Sequence, residues 1–109
     1  MKVYGITSDK RVASLPDVPT LAEQGIKGGE VAIWHGLYAP KGTPKPVIDK
    51  LVAGLQAALK DADVQKRFSE LGAVTFPADK QNPAALEAHV KSEIAKWRPI
   101  IQKAGVYAD

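Results

Sequence analysis

Residues 31–39, Val-Ala-Ile-Trp-His-Gly-Leu-Tyr-Ala, are apolar almost throughout, with Gly28-Gly29 before them and Pro40-Lys41-Gly42 after them. Without alternating polar positions, such a run suits a β-strand covered on both faces, as in layered α/β proteins. It is also too short to span a bilayer. The chain must therefore find elements to cover both sides of one strand. With 109 residues it is expected to be one domain, hiding roughly two-thirds of its unfolded surface, enough for one modest core and not for a deep cleft between two lobes. A composition of 45% apolar and 25% charged residues disfavours disorder and fibrous repeats. The absence of cysteine excludes thiol catalysis, disulfides and cysteine-based zinc sites.

Other elements follow from local signals. Residues 3–8, Val-Tyr-Gly-Ile-Thr-Ser, are β-prone and end at the charged Asp9-Lys10-Arg11. A stiffened loop comes next, because Pro16 and Pro19 fix φ and push Leu15 and Val18 toward extended geometry. Thr20 and Glu23 form a capping box for a short helix that Gly25 ends. Thr43 as N-cap and Pro44 at the first helical position start a helix with Ile48, Leu51, Val52, Leu55 and Leu59 on one face. Asp61 or Ala62 opens a shorter helix that buries Val64, Phe68 and Leu71 and stops at Gly72. Residues 73–76 read as a brief strand. Asn82 caps the last helix, with Pro83 at its first position, an apolar face of Leu86, Val90, Ile94, Trp97 and Ile101, and Gly105 at its end. Pro99 within it predicts a bend near Ala95 or a restart. The expected fold class is α/β, in the order β-α-β-α-α-β-α.

Fifteen basic against twelve acidic residues leave a charge of +3. The basic residues are spread from Lys2 to Lys103 with acids between them, and only Lys10-Arg11 and Lys66-Arg67 are adjacent pairs. Phosphate binding calls for a dense basic stripe, so no nucleic-acid partner is expected. His35 and His89 lack second ligands at i+3 or i+4, so no metal is expected. His89 falls beside the apolar stripe of the last helix and reads as structural. No serine sits in a Gly-x-Ser-x-Gly setting, and no glycine-rich phosphate loop precedes a helix. The glycines at 25, 28 and 29 make a flexible turn, and Asp61 and Asp63 suit a helix start. The chain is expected to be neither an enzyme nor a cofactor binder. Gly36 beside Trp34 and His35 leaves open either close approach by a ligand or tight packing.

Several segments together resemble the C-terminal part of Bug-type receptors, the periplasmic solute-binding proteins of tripartite tricarboxylate transporters. They are Ile6-Thr7-Ser8 with Lys10-Arg11; Leu15-Pro16-Asp17-Val18-Pro19-Thr20 with Glu23 and Gly25; and Trp34-His35-Gly36-Leu37-Tyr38-Ala39-Pro40 with Gly42-Thr43-Pro44. Leu71-Gly72-Ala73 and Glu93-Ile94-Ala95-Lys96-Trp97 ending at Ala104-Gly105 complete the match, which covers nearly the whole chain.

The resemblance implies part of a type II periplasmic-binding-protein fold, whose two α/β lobes close on a small organic acid. It implies that residues 1–29 are the tail of the second lobe, 30–42 the hinge-crossing strand, and 43–109 the C-terminal part of the first lobe. The family's N-terminal glycine-rich ligand loop has no counterpart in the sequence. Within reach of the cleft the candidates are Thr7 and Ser8 at a strand end, and Trp34 and His35 at the crossing. Membrane transporter subunits would be the partners of the whole receptor, and the periplasm its place. After Lys2 the apolar stretch stops at Ile6, so no signal peptide is read, and a chain made as written would stay in the cytoplasm. Exposed strand edges lead to the expectation that the isolated chain forms a homo-oligomer, as by strand exchange. A self-sufficient α/β interaction module is the alternative reading.

Overall fold

The computed structural model describes residues 2–106. Its regular structure is helical: α1 (Lys45–Lys60), α2 (Ala62–Glu70) and α3 (Pro83–Ala104), with a 3-10 turn at Ala78–Lys80. No strand forms among the described residues, and an isolated parallel bridge joins Ile6 to Thr20. The expected β elements at 3–8, 31–39 and 73–76 are thus segments outside any ladder. A ladder needs a neighbouring strand in register to take up alternate N–H and C=O groups. Val31 N–H donates to the Thr7 carbonyl at 2.9 Å, and residues 32–39 join no ladder with other described residues.

The chain divides into two units, Met1–Leu37 with Lys66–Val74, and Tyr38–Gln65 with Thr75–Asp109. In the second unit, α1 starts one residue later than expected. Thr43 Oγ1 turns back to donate to the Pro40 carbonyl at 2.8 Å, and the N-cap is Pro44, with no side-chain cap bond. Ile48, Val52 and Leu59 of the expected α1 face are half-buried, whereas Leu51 and Leu55 remain exposed. Gln56 Nε2 donates to the Gln81 carbonyl at 2.7 Å, tying α1 to the loop before α3. Asn82 caps α3 as read, accepting from Ala85 N–H at 2.9 Å. His89 lies half-buried on α3, its ring edge-on to Phe76 with centroids 5.6 Å apart. The helix runs through Pro99 without a restart and ends at Gly105, whose φ is 65°.

In α2 the Asp61 carboxylate caps the amide N–H groups of Asp63 and Val64, at 2.9 and 3.2 Å. Its end is a complete Schellman turn: Ala73 N–H bonds the Phe68 carbonyl and Gly72 N–H that of Ser69, with Gly72 at φ 68°. Leu71, expected in the buried face, is 78% exposed. It lies beyond Glu70, where the chain has left the helix, and so is not carried on the Val64–Phe68 face.

Burial is unusually shallow. Among the described residues Thr20 is the one that is buried, at 2% exposure, and no apolar side chain reaches that class. Ile33 is 89% exposed and Val74 87%. No helix of the described residues is long and apolar enough to cross a membrane.

Candidate functional site

A hydrogen-bonded block in the first unit is built around Ile6. Its N–H donates to the Pro19 carbonyl at 3.0 Å, and its own carbonyl accepts from Leu21 N–H at 2.9 Å. Ile6 is therefore held on both backbone groups beside Thr20. Gly5 permits this approach: a Cβ there would lie 2.5 Å from Gln24 Nε2 and 2.9 Å from Leu21 Cδ2. Gln24 Nε2 instead donates to the Tyr4 carbonyl at 2.9 Å.

The capping box between Thr20 and Glu23 forms. Thr20 Oγ1 accepts from Glu23 N–H at 3.1 Å, and Glu23 Oε2 accepts from Thr20 N–H at 2.8 Å. The short helix expected to follow is a single turn. Ile26 N–H bonds the Leu21 carbonyl and Gly25 N–H that of Ala22, a Schellman stop with Gly25 at φ 83°. Start and stop signals stand only five positions apart, so the two caps consume the turn before a second one can propagate.

Arg11 adds a link from outside the turn. Its Nε donates to both Glu23 oxygens, at 3.1 and 2.9 Å, and Nη1 donates to the Pro16 carbonyl at 3.1 Å. These bonds from Arg11, followed by the Thr20 amide, hold the Glu23 carboxyl below its ordinary value of 4.5. The same pairing raises the guanidinium further.

The loop of residues 7–10 leaves this block at Ile6 and returns to it at Arg11. Thr7 has an exposed side chain, and its carbonyl accepts from Val31 N–H. Ser8 is half-buried and donates its hydroxyl to the Lys10 carbonyl at 2.5 Å. With that proton committed, the Thr7 hydroxyl is the side-chain donor of the pair that faces solvent. Trp34 is half-buried and His35 exposed, on the segment whose first residue reaches Thr7. All four candidate residues belong to the first unit. The bond from Val31 to Thr7 links the two pairs of candidates through the backbone. Among the described residues no group of three His, Cys, Asp or Glu side chains gathers to hold a metal ion.

Sequence reading identified the Thr20–Glu23 box but not its third member. Arg11 and Glu23 are separated by |i−j|=12, a spacing that belongs to no helical or strand period. The available signal was chemical, a basic residue ahead of an acid in a proline-stiffened loop.

Comparison with known proteins places these features in a wider set. The family described as tripartite tricarboxylate transporter family receptor matches residues 1–106. The chain is 44% identical over 102 residues to the UPF0065 protein in the TAR-I ttuE-ttuC' intergenic region of Agrobacterium vitis, covering 94% of this chain and 30% of that protein. The solved structure of the periplasmic binding protein BugD matches with a TM-score of 0.85 and 53% identity, over 99% of this chain and 36% of that one. MatC from Rhodopseudomonas palustris, solved with bound malate, matches with a TM-score of 0.82 and 39% identity, over 92% of this chain and 34% of that one. The chain therefore spans about a third of the length of these three relatives.

Proposed function

The chain belongs to the tripartite tricarboxylate transporter receptor family, a family of periplasmic solute-binding receptors, and from that premise we propose that it is the C-terminal segment of a receptor for small carboxylates. The observation that carries this reading is the likeness to MatC, whose solved structure holds malate, at 39% identity over 92% of this chain. In this reading the receptor binds its solute without turnover and hands it to membrane transporter subunits.

Residues 1–29 form the tail of the second lobe, 30–42 the crossing strand and 43–109 the closing part of the first lobe. The division between Leu37 and Tyr38 falls within the proposed crossing, while Lys66–Val74, within the proposed first-lobe segment, groups with Met1–Leu37. Thr7 and Ser8 contact the solute from the second lobe, where an exposed hydroxyl and backbone N–H groups suit a carboxylate. Trp34 and His35 contribute from the crossing segment. The 31–39 segment pairs within a sheet when the rest of the receptor is present. The isolated chain, left with its apolar side chains exposed, pairs with itself.

Titration calorimetry tests the binding reading. A full-length receptor carrying this segment is titrated with a panel of di- and tricarboxylates such as malate, succinate and citrate. Saturable heat with at least one of them is expected. No heat with any member would overturn it.

A further inference from the structure

We infer that Arg11 is a positioning residue for the Thr7–Ser8 loop, holding it in a fixed shape before a ligand arrives. The inference rests on the proposed role of Thr7 and Ser8 as ligand contacts. It comes from the way both ends of one short loop are fastened to the same block of structure.

At the near end, Ile6 is bonded to Pro19 and Leu21 on either side of Thr20, at 3.0 and 2.9 Å. At the far end, the Arg11 fork grips the Glu23 carboxylate and the Pro16 carbonyl, with distances from 2.9 to 3.1 Å. Pro16, Pro19, Thr20, Leu21 and Glu23 lie within one proline-stiffened loop and capped turn, itself locked by the reciprocal bonds of Thr20 and Glu23. Residues 7–10 thus bridge two anchor points on one rigid segment. Ser8 Oγ bonds Lys10 across the loop, which fixes its interior as well.

A loop pinned in this way gives up little freedom on binding, and preorganisation converts directly to affinity. Arg11 does this through planar geometry. Its guanidinium reaches both carboxylate oxygens and a carbonyl together, which a lysine ammonium, acting as a point charge, does not reproduce. Its Nε and Nη1 are turned toward Glu23 and Pro16, so the effect assigned to Arg11 is on loop shape.

The test uses a full-length receptor carrying this segment, with R11K and R11A variants. Malate affinity is read by calorimetry, folding by melting temperature, and amide exchange at Ile6 and Leu21 by NMR. R11A is expected to weaken malate binding by about tenfold and R11K by about threefold or more, with R11K melting close to the parent. Amide exchange at Ile6 and Leu21 should quicken in both. Should R11A fail to fold, R11K, which keeps the charge, decides the matter. R11K binding within twofold of the parent would overturn the inference, as would weaker binding accompanied by a general loss of folding. If the parent binds no carboxylate, the reading of the site falls. Exchange at Ile6 and Leu21 then still decides whether Arg11 fastens the loop: quickening upholds the hold and unchanged rates overturn it.

Discussion

The Nε of Arg11 lies 3.1 and 2.9 Å from the two carboxylate oxygens of Glu23, a residue twelve positions further along the chain. Both side chains are partly exposed, and an isolated surface pair of this kind contributes little to stability. Here the pair is also part of the capping box, because Glu23 Oε2 accepts from Thr20 N–H as well. The ion pair therefore fixes loop geometry more than it adds net stability.

The Glu23 carboxyl is expected to titrate below 4.5, since Arg11 and the Thr20 amide both favour its ionised form. A depressed folded value means that its stabilising contribution is complete above the unfolded value and is lost as pH falls through the folded one. Carbon-detected NMR titration measures it. A midpoint at or above 4.5 would show the clamp open in solution.

Glycines at turn ends and in a helix should respond in opposite directions. Gly25 and Gly72 have φ of 83° and 68°, so alanine at either is strained, at about 1 kcal/mol or more. Gly54 lies inside α1 with nothing within 4 Å of an added Cβ. Gly54→Ala should therefore stabilise by roughly 0.5–1 kcal/mol. Chemical denaturation of the three variants checks the signs.

Asn82 supplies the side-chain cap of α3, and Asn82→Ala removes the acceptor for Ala85 N–H. A loss of about 1 kcal/mol is expected. Pro99→Ala should act the other way by restoring a donor inside the same helix, raising stability by up to about 3 kcal/mol. Circular dichroism melts of the two variants should move in opposite directions. A fall in melting temperature for Pro99→Ala would mean that the proline ring is needed for packing.

Which features could be read from sequence follows the reach of the interactions. Asn82, Asp61, Gly72 and Gly105 work through residues a few positions away, and each performs the capping role its type and place implied. The Thr20–Glu23 box is equally local, and its helix failed only because Gly25 ends it within one turn. The strands at 3–8, 31–39 and 73–76 depend on partners far along a chain or outside it, so β-prone composition alone did not form a ladder. Leu71 was misplaced by one step, because a helical period was extended past the last helical residue. Within the candidate site, Thr7 and Ser8 were singled out from sequence, but the clamp behind them was not, since nothing periodic connects Arg11 to Glu23.

The exposed apolar surface has a direct consequence. Ile33, Leu37 and Tyr38 are all open to solvent on a segment that joins no ladder with other described residues, and such surfaces seek partners. Light scattering after gel filtration of the 109-residue chain should show a dimer or larger species. A stable monomer with a cooperative melt would favour a self-sufficient module.

Direct contact of Thr7 and Ser8 with the solute is tested by an amide NMR titration of the full-length receptor carrying this segment with malate. Both signals are expected to shift saturably and together with the heat of binding. Malate binding that leaves both signals unmoved would rule out that contact.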